Sequence, residues 1–184
     1  QLKSIEDNKR IFDEQLEKCG VDYFDYYLLH CLDVDNYAKV KEFKSMDFLR
    51  QMKAEGKIKK LGFSFHDTAE FLEKILLEIG EDIEFVQLQI NYLDWESDSV
   101  QSRKCYEVCQ KYHKPVIVME PVKGGKLVNI PQAGIDLLKT QDEKMSVASL
   151  FAPRYKGGLQ QRVCPGFSPG SLLIAIRRTV AWAK

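Results

Sequence analysis

The stretch "IKKLGFSFHDTAEFLEKILLEIGEDIEFVQLQINYL", residues 58–93, decides the fold. Its first part, "IKKLGFSF", reads as a strand rich in aromatic and aliphatic residues. "DTAEFLEKILLEIG" follows as a helix, with Asp67 in the capping position and Gly80 at its stop. "IEFVQLQINYL" is then a second strand. A strand, a helix and a strand in this order require a crossover connection, which makes the two strands parallel.

The same pattern extends in both directions. Upstream, "SMDFLRQMKAEGK" reads as a helix opened by a Ser cap, with Phe48, Leu49 and Met52 at helical spacing and Gly56 as its stop. A polar loop separates it from the strand "YFDYYLLH", and before that residues 4 to 19 set Ile5, Ile11, Phe12, Leu16 and Cys19 on roughly one helical face, with Gly20 as the C-terminal cap. Downstream, "SVQSRKCYEVCQKYHK" is a helix and "PVIVMEP" a strand. Equivalent points recur after about 30 residues, the size of a βα repeat. An open doubly wound sheet carries a Gly-rich phosphate turn after an early strand, and no G-x-G-x-x-G occurs here. The predicted fold is therefore α/β, a partial (β/α)8 TIM barrel with parallel strands alternating with helices. Four clear units are visible where eight are needed, so the chain reads as the middle and later part of a barrel.

Composition narrows the function classes. The 184 residues carry 27 basic and 27 acidic side chains, so there is no basic field for nucleic acid, and no apolar run reaches the roughly 20 residues that cross a bilayer. Neither nucleic acid nor membrane is expected as a partner. Five cysteines without a secretion signal suggest reduced thiols and a cytoplasmic location. The chain opens on Gln1 in a charged helical pattern, which reads as a piece whose beginning lies elsewhere.

In a parallel barrel the active site lies at the carboxyl ends of the strands. Four successive strands carry polar residues there: the first ends on His30, the second carries Ser64 and then His66, the third Gln87, Gln89 and Asn91, and the fourth Met119, Glu120 and Pro121. A lone histidine or glutamine at a strand end is usually a satisfied polar residue. Recurrence at one barrel face is the stronger signal.

"VDYFDYYLLH", "GKIKKLGFSFHD", "FVQLQINYLDW" and "PVIVMEPVKGGKL" together resemble, in order and spacing, the aldo-keto reductases, and most of all the bacterial branch whose seventh strand reads "MEP" before a "GGKL" turn. The resemblance covers roughly residues 1 to 150 and implies an NAD(P)H-dependent oxidoreductase that reduces aldehyde or ketone carbonyls by hydride transfer, with NADPH or NADH as cofactor and a small-molecule carbonyl as substrate. His30 matches the family's catalytic histidine, which hydrogen-bonds the substrate carbonyl. Ser64 and Gln87 match the positions that hold the nicotinamide carboxamide, a group needing one donor and one acceptor, with Asn91 nearby and Glu120 beside the same strand end. Met119 stands where many members stack a Tyr on the nicotinamide, so a thioether would make that contact. Gly124, Gly125 and Lys126 would form the turn over the pyrophosphate, since bare glycines let backbone N–H groups approach a phosphate.

The family's proton-donating Tyr and its Lys and Asp belong to the first strands, and this chain shows no match to them. The expectation is that the chain alone does not turn over. An alternative reading is a non-catalytic barrel that binds nicotinamide cofactor or a protein partner; a metal-dependent barrel hydrolase is disfavoured, because the strand ends offer no Asp/His ligand cluster. Cys105, Cys109 and His113 share one helix at i, i+4, i+8, but barrel helices bury such a stripe, so the cysteines read as core, His113 as structural, and no metal is expected. His66 stays open between a site role and a place in the loop before the next helix.

The resemblance stops near "MSVASL". Residues 151–184 form a divergent tail with paired Pro and Gly and no acidic residue. Back-translation of "CPGFSPGSLL", read two nucleotides later, permits "LSGFS" or "LSGVS", the kind of phosphate-binding strand the family would place there. The expectation is an out-of-frame tail.

Overall fold

The computed structural model describes residues 2–128, 131–139 and 180–183. In chain order the elements are α1 (Glu6–Cys19), β1 (Phe24–Leu32), α2 (Val34–Glu42), α3 (Ser45–Ala54), β2 (Ile58–Phe65), α4 (Ala69–Ile79), β3 (Phe85–Gln89), α5 (Ser102–Lys111), β4 (Val116–Met119), α6 (Gln132–Lys139) and β5 (Val180–Ala183), with short 3-10 turns at Gly80–Asp82 and Lys123–Val128. The expected tail falls outside the described residues except for β5, which runs parallel to β1.

The sheet order is β4-β3-β2-β1-β5, and every pairing is parallel. From β1 to β4 each strand lies beside its predecessor, with no reversal of the kind a doubly wound sheet makes at its switch point. All the described helices that bury residues do so in one cluster, in which Phe12, Leu49, Leu72, Ile75 and Cys109 meet Tyr27, Leu29, Leu61, Phe63, Val86 and Leu88 from the strands. Because strand side chains alternate, the other set, Leu28, Gly62, Ser64, Phe85 and Gln87, faces the opposite side. Helices on one face and a curved inner face on the other is the layering of a barrel segment.

Local chemistry explains where the elements depart from the sequence reading. The polar loop after β1 contains a helix, α2, because Asp33 accepts the Asn36 N–H at 2.7 Å as its cap while Tyr37 and Val40 turn inward. Ser45 does not cap α3: Lys44 takes that place at φ 50°, and Ser45 lies inside the first turn, buried. The cap of α4 is Thr68, which accepts from the Phe71 N–H, whereas Asp67 reaches across to the Val34 N–H at 3.1 Å. In α1 the buried positions are Asn8 and Phe12, while Ile5 and Cys19 are exposed; Gly20 closes it in the left-handed conformation at φ 64°. Helix α5 begins only at Ser102, three residues after the expected start at Ser99.

Polar clamps hold the amino ends of the strands. Lys114 Nζ donates to Gly80 O at 2.7 Å and Ile83 O at 2.9 Å, Glu84 accepts the Leu61 N–H at 2.7 Å and pairs with Lys53, and Arg50 pairs with Asp82 at 2.7 Å. The carboxyl ends are left to the loops that carry the polar residues.

Candidate active site

The inner face rises in layers. At its base Gly62 lies between Leu28 and Phe85 in the strand register, and the Phe85 ring passes over it so closely that a Cβ on residue 62 would sit 2.5 Å from Phe85 O and 2.6 Å from the ring. Glycine is the residue that permits this approach. Tyr26 meets the same ring edge-on at 5.4 Å, and Leu28 and Phe85 are buried, so the base is apolar.

One layer higher, Ser64 of β2 is the register partner of Gln87 of β3, and Gln87 is that of Ile117 of β4. On the far side of Ser64, β1 does not end at His30 as the sequence suggested: it continues to Leu32 through an irregularity in which Cys31 adopts φ 57°. The Ser64 hydroxyl accepts the Cys31 N–H at 2.7 Å. The buried serine thus fixes the backbone next to His30, which is half-buried at the mouth of the row. The structure sets Ser64 and Gln87 side by side and places His30 one residue before the N–H that Ser64 holds. The Gln87 side-chain oxygen Oε1 is buried and has no hydrogen-bond partner among the described residues. An unpaired buried acceptor is costly, which marks this oxygen as the one on the inner face that lacks a protein donor among the described residues.

The next layer pairs Gln89 with Met119. Met119 is half-buried on the inner face, and Glu120 is exposed at φ 55°, with its backbone oxygen rather than its carboxylate turned to the loop. Asn91 is completely buried and its amide is committed to its own loop: Oδ1 accepts the N–H groups of Leu93 and Asp94, and Nδ2 donates to Asp94 at 2.6 Å and to Glu120 O at 3.1 Å. Through these bonds Asn91 supports the neighbouring turn.

That turn follows β4. Lys123, Gly124 and Gly125 have φ of 48°, 62° and 89°, and a Cβ on either glycine would meet nothing within 4 Å. The glycines therefore present open backbone, with Lys126 exposed beside them. Two residues the sequence reading quoted but did not interpret organise the region. Asp94, almost fully buried, accepts from Gln89 at 2.7 Å, from Asn91, and from Lys123 Nζ at 2.5 Å. Burial opposes its ionised form, but the Lys123, Gln89 and Asn91 donors outweigh that cost and hold its carboxyl below the usual range. The Asn-x-x-Asp spacing was the available sequence signal, that of a side chain bonding its own backbone in a turn.

His66 is exposed on the loop after β2, its N–H donating to Leu32 O at 3.0 Å. Cys105 and Cys109 are buried core residues whose thiols burial pushes up to about 12, and His113 lies exposed at the turn before β4.

Comparison with solved structures finds the same layering. An aldo-keto reductase from Klebsiella pneumoniae, crystallised with NADPH, superposes with a TM-score of 0.58 at 24% identity, over 77% of this chain and 48% of that one. An aldo-keto reductase from Bacillus halodurans in its holo form gives 0.59 at 18% identity, over 100% and 58%, and a glycerol dehydrogenase from Gluconobacter oxydans gives 0.60 at 15%, over 82% and 51%. The chain thus spans about half the length of the structures it matches. Comparison with curated proteins gave no significant match. The model of the aldo/keto reductase family matches residues 1–162, most of the sequence, and with a parallel barrel segment beneath it this chain belongs to the aldo/keto reductase family.

Proposed function

We propose that the protein to which this chain belongs is an NAD(P)H-dependent oxidoreductase that reduces aldehyde or ketone carbonyls, and that this chain supplies the nicotinamide seat and the carbonyl-orienting histidine. The observation that carries the reading is the buried, unpartnered Gln87 Oε1 in register with Ser64. The chemistry contributed by a bound NADPH or NADH is donation of a hydride to the carbonyl carbon.

The residues of the chain do the rest. Gln87 Oε1 accepts an N–H of the carboxamide, and the Ser64 hydroxyl, already an acceptor for Cys31, donates its own proton to the carboxamide oxygen. Two such bonds lock the rotation of the amide and so select one ring face. His30 donates to the substrate oxygen, orienting the carbonyl and stabilising charge as it develops there. Met119 offers a polarisable side wall. Gly124, Gly125 and Lys126 receive the diphosphate with backbone N–H groups and one cation. The proton donor and its Lys and Asp belong in this proposal to strands that precede β1 in the full barrel.

Among the described residues no helix is long and apolar enough to cross a membrane, and Cys19, Cys31, Cys105 and Cys109 are free thiols. A reducing compartment fits those thiols, and the cytoplasm is the proposed location.

The test is a fluorescence titration of the full-length protein with NADPH and NADH, followed by carbonyl reduction with stereospecifically deuterated cofactor. Binding of one of them, transfer from a single face, and a roughly tenfold weaker Kd for Gln87→Leu are expected, the size of one lost hydrogen bond to a buried group. A wild-type protein that binds neither cofactor would overturn the assignment.

A further inference from the structure

Asp94 and Lys123 are not part of the carboxamide seat, yet they join Gln89 and Asn91 in one polar cluster at the carboxyl-end rim. Asp94 is 4% exposed and lies between two loops. Its Oδ2 accepts Gln89 Nε2 at 2.7 Å and Asn91 Nδ2 at 2.6 Å, and its Oδ1 accepts Lys123 Nζ at 2.5 Å. Asn91 Oδ1 holds the Asp94 N–H at 2.9 Å, which fixes the backbone that carries the carboxylate. The same Asn91 donates to Glu120 O.

The turn after β4 is thereby held at two points, at Glu120 through Asn91 and at Lys123 through Asp94. Both held residues have left-handed backbones, φ 55° and 48°, a conformation that residues with a side chain adopt only when neighbours enforce it. The segment that follows is Gly124–Gly125, whose open backbone was assigned above to the diphosphate.

We propose that Asp94 is the positioning residue of this turn, and that the two lysines flanking the glycines divide the work: Lys123 is spent internally on Asp94, while Lys126 is the cation that meets the anionic diphosphate of the cofactor. The inference rests on the cofactor reading above. Charge supports the division. A buried carboxylate at the edge of an anion site would repel the ligand unless neutralised, and Lys123 neutralises it at contact distance. Lys126 stands exposed immediately after the glycines, with no carboxylate paired to it among the described residues. Sequence spacing alone makes the two lysines equivalent members of "KGGK"; the fold separates them.

The experiment uses the full-length protein and two readouts. Hydrogen exchange of the 120–127 backbone without cofactor reports the latch by itself; the Kd for NADPH over a series of salt concentrations reports the charge. Asp94→Asn and Lys123→Gln are expected to speed exchange in that segment at least tenfold and to weaken NADPH about tenfold, without flattening its salt dependence. The double variant should be no worse than either single one, since both remove the same pair. Lys126→Met should leave exchange unchanged, weaken NADPH about tenfold and flatten the salt dependence, because an exposed charge is the one that salt screens. Lys123→Gln retains an N–H donor toward Asp94 and serves as the milder variant if Asp94→Asn folds poorly.

Unchanged exchange in Asp94→Asn would overturn the latch, as would faster exchange with unchanged affinity. A flattened salt dependence in Lys123→Gln with a normal one in Lys126→Met would overturn the division of labour. Wild-type protein that binds no NADPH or NADH at all would remove the cofactor reading and the positioning claim with it, whereas the exchange results would still show whether the Asp94 pair orders the turn.

Discussion

Ser64 shows how a single side chain serves backbone and site together. Its oxygen takes the Cys31 N–H at the point where β1 departs from regular pairing, and its proton remains to be donated. Ser64→Ala leaves that buried N–H without an acceptor and should cost about 2 kcal/mol in urea unfolding. Cys31→Gly in the same background should recover about 1 kcal/mol, because glycine adopts φ 57° freely. Gly62 is under the opposite constraint. Gly62→Ala drives a methyl into Phe85 O and its ring, and a loss of roughly 2 kcal/mol with a lower Tm is expected. A substitution at Gly62 that left Tm unchanged would show that the base layer can yield. The buried thiols give a third readout at this scale. Cys105 and Cys109 should resist alkylation at pH 8 until the chain unfolds, while exposed Cys19 should react at once.

At the scale of elements, the βα alternation was legible because each strand and helix repeats its apolar pattern at its own period. Strands β1 to β4 occur in the expected order, although β1 runs two residues past His30, and Ser64 and Gln87 stand in register on β2 and β3. Helix α2 was not legible: it has nine residues, only Tyr37 and Val40 are buried, and its start depends on an Asp33 cap that reads equally as a turn. The Asp94 cluster was hidden for a different reason, since Lys123 lies 29 residues away and reaches Asp94 only after β4 has docked on β3. Its pH dependence follows from its sign. The folded carboxyl is held below its unfolded value near 3.9, so its contribution is complete above that value and fades as pH falls through it toward the lower folded one. Asp94→Asn should therefore flatten the acid limb of an unfolding titration and leave stability near pH 7 only weakly dependent on pH.

For the molecule as a whole, the sheet is closed on its faces and open at its ends. Helices bury the outer strand residues, the inner residues Leu28, Ser64, Phe85 and Gln87 are buried too, and β4 and β5 end the sheet with unpaired edges among the described residues. Open edges promote association between chains. The chain prepared by itself should show light scattering that rises with concentration, and the full-length protein should not. A chain that stays monomeric across a hundredfold concentration range would show that its sheet edges are protected.

The Phe85 ring lying across Gly62 also matters to inhibitor chemistry. On the seat proposed above, a head group bonded to Ser64 and Gln87 would meet the buried Phe85 ring as a floor and would gain nothing by growing downward. Affinity has to be built sideways along the β3 and β4 loops, and selectivity with it. Shaving the floor, as in Phe85→Ala, would turn a stop into a small dry hole, and the best ligand for that variant would be the same molecule with one methyl group more.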